Sequence, residues 1–163
     1  MTKEEFKRLF DNHFDSVRQY ILYRSGNADL ATDIAQETFM KVWEKKAKFN
    51  LGTSKRLLFK IANDFFISDY RREKLSFGIL KHFEIQQEDY SPQEVLEFRQ
   101  LKAGYEKALE AMGEKQRVVF LMSRIDGRTY SEIAGTLGLS VKAIEKRMNQ
   151  ALVFLRKSIN RDE

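Results

Sequence analysis

A single proline, Pro92, interrupts 163 residues in which apolar side chains recur three or four positions apart. Proline blocks helix interiors, so its near absence leaves long helices possible, and the three-four spacing gives each an apolar face to bury. The one proline sits in Ser91-Pro92-Gln93-Glu94. There Ser91 can cap a helix, Pro92 suits its first position, and Glu94 completes a capping box. No alternating strand pattern of useful length is present, and the predicted fold class is all-α.

The helices follow from their stripes and stops. A first, from about Thr2 to Ser25, carries Phe6, Leu9, Phe10, Phe14, Val17, Ile21 and Leu22, and Gly26 ends it. A second, capped by Asn27, carries Ala31, Ile34, Ala35, Thr38, Phe39, Val42 and Trp43. A third spans roughly Ser54 to Arg72, with Leu58, Ile61, Ala62 and Phe65 facing inward. The helix opened by Pro92 runs to about Met112 and stops at Gly113. Further helices are expected over Glu114 to Ile125, from Thr129 to Gly138, and from Val141 to about Ile159.

The net charge of +5 is unevenly spread: residues 1–75 are basic, 76–104 acidic and 105–163 basic again. The least periodic stretch, Ser76 to Tyr90, lies in the acidic part and is read as a linker between two small helical domains. Hydrophobic residues at 42% supply a core, so wholesale disorder is excluded. The longest apolar run, Val118 to Met122, is far below a membrane span of ~20 residues. Without cysteine there are no disulfides, thiol catalysis or zinc fingers. Nothing suggests export, and the expected location is cytoplasmic.

Thr129 to Leu155 has helix-turn-helix grammar: two helices, a tight Gly138-Leu139-Ser140 turn and a shared core of Ile133, Ala134, Leu137, Val141, Ile144, Met148, Ala151, Leu152 and Leu155. The opposite face of the last helix presents Lys142, Glu145, Lys146 and Asn149 as one stripe. In such a motif this face enters the major groove, where Asn149 suits adenine, Lys146 guanine and Glu145 a cytosine amino group. Arg128, Tyr130, Ser140 and Arg147 lie where phosphates would pass. A solvated charged face on an ordinary helical hairpin is the alternative reading of the same stripe.

The third helix mixes Lys55, Arg56, Lys60, Phe65, Phe66, Tyr70, Arg71 and Arg72, a composition suited to single-stranded nucleic acid. Phe65 falls on the apolar stripe, whereas Phe66 fits either core or surface. An enzyme is disfavoured: His13 and His82 are far apart in sequence, there is no phosphate-binding glycine loop, and Asp33 and Glu37 lack a histidine partner. No cofactor, metal or small-molecule substrate is expected.

Three motifs then occur in register. The run DLATDIAQETFMKVWE from Asp29 to Glu44 holds Asp33, Gln36, Glu37, Phe39 and Trp43; LFKIAN spans Leu58 to Asn63 ahead of Arg71-Arg72; and Leu109 to Arg117 precedes YSEIA at Tyr130 to Ala134, Ala151 and Leu155-Arg156. On these the chain resembles the extracytoplasmic-function sigma factors, the smallest members of the sigma-70-type family. It departs from their pattern at Leu57, where a tryptophan is usual, at Asp64, where many have asparagine, and in a short loop from Ala47 to Lys55.

The resemblance implies a promoter-specificity subunit of bacterial RNA polymerase. Residues 1–75 would form a region 2-like domain, 76–104 the acidic linker and the start of the next helix, and 105–163 a region 4-like helix-turn-helix domain. Asp33, Gln36, Glu37 and Met40 would dock on core polymerase. Lys55, Arg56, Lys60, Asn63, Asp64, Arg71 and Arg72 would serve the −10 element, with a flipped base held between the Ala47 to Lys55 loop, Asn63 and Asp64. Lys142, Glu145, Lys146 and Asn149 would read the −35 duplex. The resemblance also implies an anti-sigma partner. Weak duplex binding is expected until polymerase is present, and the compactness of the free chain stays open. The competing reading is a stand-alone helix-turn-helix regulator that binds a palindrome as a dimer.

Overall fold

In the computed structural model, residues 1–48, 54–69 and 91–161 are described. They form seven α-helices and contain no strand among them. Helix α1 spans Lys3–Ser25, α2 Ala28–Glu44, α3 Ser54–Asp69, α4 Pro92–Ala111, α5 Glu114–Arg124, α6 Tyr130–Leu137 and α7 Val141–Arg161. Among the described residues no helix is long and apolar enough to cross a membrane.

The helix ends are built from the capping residues. The hydroxyls of Thr2, Ser91 and Thr129 each accept a backbone N–H three residues on, and Glu5, Glu94 and Glu132 return the bond. Each such cap supplies an acceptor for an N–H that the helix cannot pair internally. Gly26 and Gly138 close α1 and α6 in the left-handed conformation, at φ 67° and 69°. Gly113 does not act this way. Met112 ends α4 in an extended conformation, and Gly113, at φ −55°, instead starts α5.

Helices α1, α2 and α3 pack around Val17, Ile21, Ile34, Ala35, Val42, Leu58 and Ala62, all buried. Helices α4 to α7 pack around Leu109, Val119, Met122, Ile133, Ile144, Met148 and Ala151. The two halves are joined: α5 packs on α1 as well as on α7 and α6, and α3 packs on α6. This explains α5, in which six consecutive residues, Arg117 to Met122, are buried. A helix covered on all sides shows no polar face.

Three expected core positions differ. Phe10 is 36% exposed and Val141 42% exposed, because each lies at the outer edge of its helix pair. On α3 the inward face is rotated: Phe59 and Phe66 are buried, while Ile61 and Phe65 are only partly so. The Phe59 ring meets Tyr20 of α1 at 5.3 Å, which draws that side of α3 inward.

Gly138 matters twice. Its φ is costly for an L residue, and a Cβ there would stand 2.9 Å from the Arg56 guanidinium. Replacing Gly138 with alanine is expected to destabilise the chain by about 1–2 kcal/mol, read as a lower urea midpoint with an unchanged slope. A midpoint equal to the parent's would contradict the strained turn.

Candidate nucleic-acid interface

Helix α7 presents the expected stripe. Lys142, Glu145, Lys146 and Asn149 are exposed, and Ile144, Met148, Ala151 and Leu155 are buried on the opposite side. Ser140 lies just before the helix, and its Oγ accepts from the Ala143 N–H at 3.1 Å. The other expected phosphate contacts are less available. Arg147 is partly buried, and Tyr130 packs against the core. Arg128 donates to Thr136 Oγ1 at 3.4 Å and to Ser16 Oγ of α1 at 3.1 Å. Its side chain is only 18% exposed.

On α3, Lys55, Arg56, Lys60 and Asp64 are exposed. Asn63 is partly buried, and its Oδ1 accepts from Arg24. The Arg24 guanidinium also lies 4.3 Å from the buried Phe66 ring and pairs with Glu114 of α5. Phe65 carries Lys41 Nζ at 4.7 Å from its ring centre. Thus neither phenylalanine offers a free stacking face in this arrangement. Tyr70, Arg71 and Arg72 and most of the loop from Ala47 to Lys55 lie outside the described residues.

A third surface belongs to α2. Asp33, Gln36, Glu37 and Met40 are exposed along one side, opposite the buried Ala31, Ile34, Ala35, Phe39 and Val42. Beside them Phe6, Phe10, Phe39, Met40 and Trp43 line a groove of about 510 Å³. The Phe6 ring meets Trp43 at 4.9 Å and Phe10 meets Phe39 at 5.1 Å. Acidic residues next to an open apolar groove suit another protein rather than DNA, since carboxylates repel phosphates and a groove can seat an apolar anchor.

Sequence reasoning missed the seam between the halves. Tyr20, Tyr23, Arg24, Arg117 and Asp126 meet there, and none follows from helical periodicity or from a local motif. The Tyr23 hydroxyl donates to Asp126 at 2.5 Å. Burial and this carboxylate push the Tyr23 phenol above its ordinary range, and burial also raises Asp126.

Two family models match the chain, "Sigma-70 region 2" over residues 9–75 and "Sigma-70, region 4" over residues 103–155. The ferric citrate uptake sigma factor FecI of Escherichia coli is 29% identical over 152 residues, covering 90% of this chain and 86% of that protein. The ECF RNA polymerase sigma factor SigE of Mycolicibacterium smegmatis is 27% identical over 151 residues, covering 91% of this chain and 59% of that one. Among solved structures, the sigma factor RpoE of Bartonella quintana, crystallised with the anti-sigma factor NepR, matches with a TM-score of 0.60 at 20% identity. That match covers 98% of this chain and 99% of RpoE, and it is a likeness of fold.

Cations crowd the seam. Burial, reinforced by Lys55 and Arg128, holds the His13 imidazole below its ordinary pKa of 6.5. The folded chain therefore prefers His13 neutral, and the unfolded chain takes up the proton first as pH falls. Stability from this source is present above about pH 6.5 and is lost as pH drops. Asp126, raised by burial, contributes the opposite slope closer to pH 4. Unfolding free energy should accordingly rise between about pH 5 and pH 7, and His13→Gln should flatten that rise. Urea titrations of parent and variant across this range measure it; parallel curves would contradict the assignment.

Proposed function

The chain belongs to the sigma-70 family and is of its extracytoplasmic-function type, and we propose that its three exposed surfaces divide the work of directing core RNA polymerase to specific promoters. The observation that carries this reading is the order of the two matched regions along one chain, 9–75 and then 103–155. The competing regulator would need the second alone. Residues 1–75 act as the polymerase-binding and −10 domain, 76–104 as linker, and 105–163 as the −35 domain. The factor works on chromosomal promoters and so in the cytoplasm, and an anti-sigma protein is its regulatory partner.

Asp33, Gln36, Glu37 and Met40 dock on core polymerase, with the neighbouring groove taking an apolar side chain of the partner. Their joint exposure on one helix face supports the assignment. Lys55, Arg56, Lys60, Asn63, Asp64, Arg71 and Arg72 engage the melted −10 strand. Cations follow its phosphates, and extruding a base costs a few kcal/mol that these contacts offset. Lys142, Glu145, Lys146 and Asn149 read the −35 bases, while Arg128, Tyr130, Ser140 and Arg147 hold phosphates.

Transcription reconstituted with core polymerase on genomic fragments tests the whole reading. Start-site-specific transcripts that depend on the chain are expected. No transcript, together with no co-elution with core polymerase, would favour the dimeric regulator. Within an active holoenzyme, Lys146→Ala should cost about 1–3 kcal/mol at one −35 position and little elsewhere. Arg128→Ala should weaken all promoters alike and reduce the salt slope by about one. Equal losses on every promoter from both changes would refute this division. Glu37→Lys should abolish co-elution with core polymerase while leaving the melting temperature unchanged.

A further inference from the structure

The largest of the fully enclosed side chains among the described residues is a cation, Arg117 of α5. Its guanidinium donates to the carbonyls of Tyr23 at 2.8 Å and Arg24 at 2.5 Å, in the last turn of α1. It also donates to Leu109 and Met112, each at 3.3 Å, where α4 ends. Carbonyls at a helix C-terminus have no partner within the helix and carry the negative end of its dipole. One cation thus serves the exposed ends of one helix from each half. The pairs Arg24–Glu114, Tyr23–Asp126 and Arg128–Ser16 flank it, and each also crosses the seam.

Residues assigned to DNA are consumed by this packing. Asn63 is held by Arg24, Arg128 by Ser16, and Arg56 lies against Gly138 in the helix-turn-helix turn. Distance adds a second constraint. Promoter elements at −10 and −35 are separated by about 25 base pairs, roughly 85 Å at ~3.4 Å per step. A packed chain of 163 residues has a radius of gyration of about 15 Å. Packed halves cannot reach both elements at once.

We infer that the packed arrangement is a self-masked state, clamped by Arg117 across the two helix ends and relayed to the −10 residue Asn63 through Arg24. This rests on the promoter-reading function above. The seam is polar, so water can replace each of its bonds when the halves part. Core polymerase then binds the open form, and by linkage any contact that closes the seam weakens polymerase and DNA binding together. The apparent affinity of the free chain for DNA scales with the open fraction.

The absence of native cysteine allows paired spin labels at Asp29→Cys and Lys157→Cys, both exposed and in different halves. Distances are measured in the full chain, free and with core polymerase. Arg117→Gln removes the clamp. Because Arg117 also braces α4, a gentler variant, Glu114→Gln with Asp126→Asn, breaks two seam contacts. Either variant should shift the labels to longer separations and raise the affinity of free chain for a −35 duplex by about tenfold, as expected if the open fraction grows from about one in ten or less. Core polymerase should lengthen the parent distance. The self-masked state is overturned if the gentler variant, still folded by circular dichroism, keeps the parent's distance and DNA affinity. It is equally overturned if the free parent is already extended. Loss of co-elution with core polymerase in the parent would instead overturn the functional reading, whatever the label distances.

Discussion

The packing of the two halves turns on a positive charge enclosed between two helix ends. Taking a guanidinium out of water costs several kcal/mol. Hydrogen bonds to a charged donor contribute about 1.5–3 kcal/mol each. With all four carbonyl partners Arg117 is well compensated; with only the α4 pair, the balance is close to zero unless water enters. The seam is therefore stable when closed and hydrated when open, with little in between. An apolar residue of similar size would hold the halves together without that choice. The neighbouring pairs share the property, since Glu114, Asp126 and Ser16 can each return to solvent.

This gives the surfaces different standing in the packed chain. The α2 stripe and the bases-reading stripe of α7 are open to solvent. The seam-facing cations and Asn63 are not, and they are the groups assigned to melted DNA and to phosphate. A packed factor could thus meet its polymerase first, through an exposed acidic and apolar surface, before its DNA contacts are released. That order suits a subunit that should not wander over the chromosome alone. Non-specific affinity for DNA is set by the number of phosphates neutralised, and the seam lowers that number.

Much of the fold was legible because its causes are local. Capping boxes at Thr129 and Ser91, stop glycines at positions 26 and 138, and three-four apolar spacing each act within a few residues. The same locality made the α7 and α2 stripes readable, since residues at i, i+3, i+4 and i+7 share a helix face whatever the helix packs against. Errors arose where a second element decided. Periodicity on α3 could not distinguish Phe65 from Phe66, and contact with Tyr20 and Arg24 settled which side turned inward. Val141 and Phe10 fit their stripes and still lie at an edge.

The amino-acid sequence by itself determined seven helices, their ends, a helix-turn-helix and the family, because all of these rest on spacing along the chain. Only the tertiary structure decided that Arg117 is core rather than surface, that Arg24 reaches Asn63 and Glu114 together, and that Arg128 faces Ser16. A charged residue in a helix reads as solvent-facing unless its partners are known. Here those partners lie about 90 or more residues away, and several are backbone carbonyls, which carry no side-chain identity for a sequence to display.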